Sequence, residues 1–364
     1  MDCIYTEFSK VFDRIKKILL LKLHSFGFSN DLINLFTSYL HERYQYVYYQ
    51  GFYSSKFRQT SGVPQGSVLG PLLFNIYIDD VGQQIDVEYL MYADDLKLIC
   101  EVKTINDCVR LQNNLNRLYN WSVSNELLLN KDKCFVKSYF RKVKFLFYNY
   151  TIDDSILERP EYICDLGVTF DRKLKFDKHI ENVSALAYRS LGLVIRNSSA
   201  IQDKEVLSLL FFTYVRSRLE YSSVVWSPIY NCHISALEKV QRRFLKFLSF
   251  LDDGVYPPRG IPNDVYLKRF KIQSLLCRRN IAFLMLLHNI LHSVVDCEDI
   301  LNLLYFKACG TNLRFSSVLE APRPKTNGTK ASPLYQMIRN YMQIENEVDI
   351  FNCTTRDIKI CYKL

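Results

Sequence analysis

The sequence predicts an α+β chain, with strands and helices mixed through its first half and helices carrying the second. Three observations predict it. Residues 87–99 (VEYLMYADDLKLI) place two short apolar runs around the adjacent acids Asp94 and Asp95, the pattern of a β-hairpin with carboxylates at its turn. Residues 61–71 (SGVPQGSVLGP) form a glycine-rich loop that leads into an apolar run. From Ile105 onward, apolar residues recur at helical spacing in successive blocks.

Composition bounds the rest. A chain of 364 residues has room for two or three compact units with ample cores. With 48% hydrophobic and 23% charged residues it is globular, which excludes a disordered chain. A formal charge of +9 leans towards an anionic partner such as nucleic acid. The eleven cysteines are odd in number, scattered and free of any Cys-x-x-Cys. That argues against a zinc ribbon or a disulfide framework and fits a reducing compartment. The first residues, MDCIYTE, are no signal peptide. The longest apolar run, 281–287, falls far short of the ~20 residues of a membrane span. The expectation is a soluble intracellular protein, nuclear or cytoplasmic, not secreted and without a membrane partner.

The elements follow in order. Residues 3–8 read as a short strand ending at Glu7, and a helical pattern through Leu19, Leu20 and Leu23 closes at Gly27. Capping residues at 29–31 open a second helix to Leu40, with Leu32, Leu35, Phe36 and Tyr39 on one face. Residues 44–57, rich in Tyr, Val and Phe, read as a hairpin turning at Gln50-Gly51. Residues 72–78 continue the glycine loop as a buried helix. Residues 105–121 carry Cys108, Leu111, Leu115 and Leu118 on an amphipathic helix. Further helices are read at 180–194, 206–219, 234–251 and, after a turn-rich linker at 252–262, over 264–304. Residues 311–333 read as a polar loop, and the last thirty residues carry no assignable pattern.

Two stretches carry chemistry. Adjacent carboxylates repel, so Asp94 and Asp95 need a cation, solvent or a proton. A divalent ion on phosphates meets that need, since Mg²⁺ takes oxygen ligands from one or two carboxylates; an ordinary surface turn meets it as well. In the loop, three of the twelve glycines fall within eleven residues. Such a loop either holds a nucleotide or template base against its backbone, with Gln65 as a polar contact, or serves as a tight structural turn.

Taken in order, these residues resemble the reverse transcriptases of jockey-like non-LTR retrotransposons. Residues 4–13 (IYTEFSKVFD) look like the first palm motif, 61–71 the second, and Tyr92-Ala93-Asp94-Asp95 the third. Residues 127–134 (LLLNKDKC) resemble the fourth and 166–171 (LGVTFD) the primer-grip region, with weaker similarity through 215–221 and 237–244. The resemblance implies a partial right-hand polymerase palm at 1–178 with the fingers lacking. A helical thumb-like region would follow at 179–251 and a helical C-terminal extension at 252–364. It implies two-metal nucleotidyl transfer with two Mg²⁺ ions, or Mn²⁺, acting on an RNA template, a DNA primer and deoxynucleoside triphosphates. Asp94, Asp95 and Glu7 would be the metal ligands, and Lys133 the lysine near the pyrophosphate, with Lys131 competing. Phe12 would exclude a 2′-hydroxyl, while Pro64, Gln65, Gly66 and Tyr92 would line the nucleotide and template pocket.

Two departures predict weak or absent activity. The family pattern has Asp where Glu7 stands. The extra methylene displaces the carboxylate by roughly an ångström, and about 1 Å of misplacement can cost ~10²-fold in rate. The chain also begins inside the first motif, so it reads as truncated, with the fingers and upstream endonuclease missing and the first strand prone to fray. The competing reading is a non-catalytic nucleic-acid-binding remnant; a relic that folds poorly is a third. From Ala236 to Asn280 there are ten Lys/Arg against four Asp/Glu. Lys239, Arg242, Arg243 and Lys246 share a helical face that would track phosphates or stand as a solvated surface. No Cys/His knuckle surrounds Cys353 and Cys361, so no zinc is expected.

Overall fold

The computed structural model describes residues 1–15, 18–141, 145–198, 201, 203–307, 318–320 and 323–361. It divides into two compact units, Met1–Ile163 and Cys164–Leu364. Residues 164–178 therefore fall within the helical unit, and the helices on both sides of 251 share one unit.

The first unit is built on β1 (Asp2–Glu7). A one-turn α1 (Val11–Arg14) and then α2 (Ile18–Ser25) follow, the latter ending at Ser25 and turning out of the helix at Gly27 with φ +82°. Helix α3 (Asn30–Leu40) begins where Ser29 Oγ accepts the Leu32 N–H, the cap read from sequence. Phe36 and Tyr39 pack on the core, whereas Leu32 and Leu35 stay exposed, so only half of the predicted face is used. An arm follows: β2 (Arg43–Gln45), β3 (Tyr48–Tyr49), β4 (Phe52–Tyr53) and β5 (Phe57–Gln59), turning at Gln50-Gly51 as predicted. Next come α4 (Leu69–Ile78), a 3₁₀ segment (Asp79–Gln84), β6 (Glu88–Tyr92) and β7 (Asp95–Cys100). Helix α5 (Ile105–Ser124) starts with a reciprocal Thr104–Asp107 cap. A 3₁₀ turn (Lys131–Lys133) leads to β8 (Phe135–Ser138). The hairpin of β9 (Thr151–Ile152) and β10 (Ser155–Ile156) comes next. The division between the units falls within β11 (Tyr162–Asp165), which pairs with β12 (Val168–Asp171).

Strands run in the order β6-β7-β1-β8, and every pair is antiparallel. β1 is thus interior, with a strand on each side. Its inward side chain Ile4 joins Leu96 and Leu98 of β7 beneath Leu73, Phe74 and Tyr77 of α4 and Leu111, Leu115 and Leu118 of α5. Burying each such side chain contributes about 1.5–3 kcal/mol. At the far end from Glu7, buried Asp2 accepts Ser138 Oγ at 2.6 Å and Tyr150 Oη at 3.0 Å, with Arg159 at 3.8 Å. This network ties the first residue of β1 to β8, Tyr150 and Arg159.

The second unit is helical after β12. Helix α6 (Asp177–Asn197) is followed by α7 (Lys204–Phe211), which passes through a π-helical turn (Phe212–Arg216) into α8 (Ser217–Glu220). The single helix predicted at 206–219 is therefore interrupted. The short α9 (Ser223–Trp226) precedes the long α10 (Asn231–Asp253), which ends at Gly254 with φ +69°. Then come α11 (Asn263–Arg269), α12 (Leu275–Leu291) and α13 (Glu298–Leu301). The chain closes with α14 (Asn327–Ala331), α15 (Pro333–Met342) and α16 (Thr355–Cys361). One core gathers Leu191, Phe211, Val240 and Phe244; a second gathers Leu284, Leu287, Met337 and Ile358. Of the loop predicted at 311–333, residues 311–317 and 321–322 lie outside the described residues, and 327–331 are helical. Among the described residues no cysteine is in a disulfide, and no helix is long and apolar enough to cross a membrane.

Candidate active site

Antiparallel register brings the acids together. Glu7 ends β1 opposite Asp95, the first residue of β7. Tyr92 pairs with Asp95, leaving Ala93 and Asp94 as a two-residue turn. Ala93 is held at φ +52°, a left-handed conformation costly for a residue with a Cβ. That turn presents Asp94 beside the Glu7–Asp95 pair.

The segment at 128–134 closes the same end of the sheet. Ser9 N donates to Leu128 O at 2.9 Å and Asn130 N donates to Glu7 O at 2.8 Å. The following 3₁₀ turn swings Lys133 onto Glu7, where its Nζ donates to Oε1. The Lys133 ammonium is held above its ordinary range, first by Glu7 and then by the charges of Asp94 and Asp95. One cation thus feels all three carboxylates. Lys131 points elsewhere, to Asp153 at 2.5 Å.

The donor chemistry suits a hard divalent cation: three carboxylates, all oxygen ligands, from two strand ends and the turn between β6 and β7. Their side chains are not gathered, however. Among the described residues no group of three or more His, Cys, Asp or Glu is close enough to hold an ion. Glu7 faces the lysine instead.

The glycine loop is tied to the segment after β1. Val63 N donates to Phe12 O at 2.8 Å, Gly62 N to Ile15 O at 2.7 Å, and Ser61 Oγ to Asp13 O at 2.7 Å. Gly62 has φ +84°, and a Cβ there would lie 2.5 Å from Phe12 O, so only glycine fits. Gln65 Nε2 donates to Asp13 Oδ1 at 2.8 Å, and Phe12 packs on Phe74 with ring centroids 5.4 Å apart. Phe12, Pro64, Gln65 and Gly66 therefore share one loop surface, while Tyr92 stands exposed at the edge hairpin. Sequence reasoning missed Arg43, whose guanidinium donates to the carbonyls of Gly62, Ser61 and Leu40 and locks the loop. A lone arginine at a helix end gives no local signal of that role. It also missed Asp2, whose only signal was an acid in an apolar strand.

In the second unit the four cations of α10 separate. Lys239 and Arg243 are exposed. Arg242 is half-buried and donates to Ile261 O, and Lys246 lies 5.8 Å from the Tyr256 ring.

Residues 3–150 match the family described as "Reverse transcriptase (RNA-dependent DNA polymerase)", and this segment is a reverse-transcriptase domain. The chain is 27% identical over 259 residues to the RNA-directed DNA polymerase from mobile element jockey of Drosophila melanogaster, covering 67% of this chain and 28% of that protein. To the probable RNA-directed DNA polymerases of transposon BS and transposon X-element of the same fly it is 24% and 25% identical, covering 71% and 68% of this chain. The resemblance to jockey-like non-LTR retrotransposon reverse transcriptases stands on these matches. The chain spans under a third of the length of these relatives, 28% to 30%. A telomerase structure from Candida albicans in complex with a fragment of telomeric RNA covers 77% of this chain and 48% of that one at 12% identity. Its TM-score of 0.29 is too loose to argue from.

Proposed function

We propose that the first unit is the palm of an RNA-directed DNA polymerase that extends a DNA primer slowly. The observation that carries this reading is the register that sets Glu7 against Asp95, with Asp94 in the adjoining turn and Lys133 on Glu7. Glu7, Asp94 and Asp95 would hold divalent cations, which when bound stabilise charge on the transferring phosphoryl group and activate the primer hydroxyl. Lys133 would place its ammonium against the departing pyrophosphate once Glu7 releases it. Phe12 would close the floor of the nucleotide pocket against a 2′-hydroxyl. Pro64, Gln65 and Gly66 would hold nucleotide and template against a backbone that Arg43 keeps in place. Catalysis of this type is positioning and electrostatics, so the longer Glu7 side chain, already engaged by Lys133, lowers the rate.

Primer extension on an RNA template, in Mg²⁺ and separately in Mn²⁺, tests the proposal with three proteins. The chain as it stands should extend weakly. Glu7→Asp should raise the rate, by up to ~10²-fold, and Asp94→Ala should abolish it. Extension that survives Asp94→Ala, or silence from all three in folded protein, would sink the reading. Silence would leave nucleic-acid binding through exposed Lys239 and Arg243 as the function to test.

A further inference from the structure

The arm between α3 and the glycine loop carries a run of exposed aromatic side chains. Tyr48, Tyr49, Phe52 and Tyr53 are 61%, 69%, 79% and 67% exposed, and Tyr44, Tyr46 and Phe57 are exposed beside them. None of these rings joins a core cluster of the described residues. They are nevertheless ordered against one another. Tyr48 pairs with Tyr53 and Tyr49 with Phe52 across a two-residue turn, Gln50-Gly51, in which both residues have positive φ. Tyr46 and Tyr48 rings lie 5.3 and 4.8 Å from the Tyr53 ring. The register shifts by one residue between this tip and the β2–β5 base, where Tyr44 faces Arg58, so the arm carries a bulge and twists. A two-stranded ribbon of this kind is marginal in water, and apolar surface on this scale marks a binding face.

Charge and position say what it binds. Residues 43–60 contain Arg43, Lys56 and Arg58 and no Asp or Glu. Arg43 is spent on the loop, while Lys56 and Arg58 are exposed at the base of the rings. Flat aromatic faces flanked by cations and free of acids match unpaired bases strung on phosphates. A duplex, whose bases are already stacked, cannot use the rings. The arm also runs from β5 directly into Ser61 and Gly62, so a strand lying on it leads to the glycine loop. We infer that this aromatic arm is a binding site for single-stranded nucleic acid, taken by base stacking on Tyr48, Tyr49, Phe52 and Tyr53. The inference goes beyond the reaction centre. It rests on the polymerase reading only for where the bound strand leads.

The test is binding by the whole chain, without chemistry. Fluorescence anisotropy would follow labelled oligo(U), oligo(dT) and a duplex, each longer than the ~4–16 nucleotides that a stacking surface occupies, across a salt series. Replacing Tyr48, Tyr49 and Phe52 together by Ser should weaken both single strands about tenfold or more, with the salt slope unchanged because no cation is lost. Duplex affinity should not move, and Tyr48→Phe with Tyr49→Phe should bind as the parent does. In case the serine variant misfolds, thiouridine-substituted oligo(U) crosslinked to the unaltered protein should label peptides within 44–57. Unchanged single-strand affinity, equal loss for duplex, crosslinks confined to other segments, or a variant that only stops self-associating would each overturn the inference. Asp94→Ala should abolish extension yet bind oligo(U) normally, which separates failure of this inference from failure of the polymerase reading.

Discussion

The carboxylate end of the first unit and the basic face of α10 in the second are both read from charged side chains, and the structure treats them oppositely. Glu7, Asp94, Asp95 and Lys133 come from distant parts of the sequence, yet strand register and one 3₁₀ turn assemble them on a single sheet end. Lys239, Arg242, Arg243 and Lys246 are neighbours at helical spacing, yet two are exposed and two are engaged by Ile261 and Tyr256. Hydrogen-bonded backbone pairing fixes position to a fraction of an ångström. Helical spacing fixes only the direction of a side chain and leaves open whether a neighbour already holds it.

The strongest way to break this contrast is to damage the backbone ties and see whether the site survives. Gly62→Ala forces a Cβ to 2.5 Å from Phe12 O at φ +84°, so the loop must leave the segment after β1. We expect a loss of more than ~2 kcal/mol in stability, combining backbone strain with lost hydrogen bonds. Extension by a Glu7→Asp background should fall by on the order of 10²-fold. Urea melts and primer extension check the two effects, and normal behaviour in both would show that the loop needs no such anchoring. Asp2→Ala comes next. It leaves Tyr150, Ser138 and Arg159 without their shared acceptor, and should cost about 3 kcal/mol, as when one partner of a buried ion pair is removed. If the first strand is held by β7 and β8 alone, that variant will melt like the parent.

The basic helix gives the converse test. Arg242→Ala should lower stability by about 1.5–3 kcal/mol, the range for a hydrogen bond from a charged donor, with little change in RNA affinity. Lys239→Ala with Arg243→Ala should leave the melting temperature alone and, if α10 tracks phosphates, reduce the salt slope of RNA binding by about 1.4 to 1.8, or ~0.7–0.9 per lost contact. Equal effects from the single and the double variant would erase the distinction between engaged and exposed cations.

Much of the sheet end was legible because its signals are local. Short apolar runs around Asp94 and Asp95, glycines at 62 and 66, and the Gln50-Gly51 turn each carry their geometry in a few residues. Helices α5, α6 and α10 were legible from periodicity alone. What the sequence hid were ties made across long separations: Arg43 on Gly62, Asp2 on Tyr150, and Lys133 rather than Lys131 on Glu7. Each depends on which turn of chain arrives beside which, a product of packing that no spacing encodes. The π-helical turn at 212–216 was hidden for the same reason. Its apolar pattern is that of an unbroken helix.

His179 sharpens the comparison at the small end, because here a charge is excluded instead of being partnered or exposed. It sits in α6 beneath Trp226, with ring centroids 5.0 Å apart, and accepts the Thr169 N–H on Nδ1 at 3.1 Å. That bond requires an unprotonated Nδ1, and burial holds the imidazole below its ordinary range. A group whose folded pKa is depressed binds its proton more readily when the chain unfolds. Its stabilising effect is therefore full above the unfolded value, about 6.5 for His, and is lost as pH falls from there towards the folded value. One proton sets the limit, a slope of at most ~1.4 kcal/mol per pH unit. Melts between pH 7.5 and 5 should thus show stability declining below about 6.5, and His179→Gln should flatten that limb while lowering the plateau. An unchanged slope in His179→Gln would assign the acid sensitivity to another group. It would also remove this residue as evidence that the second unit disposes of charge by burial as readily as by exposure.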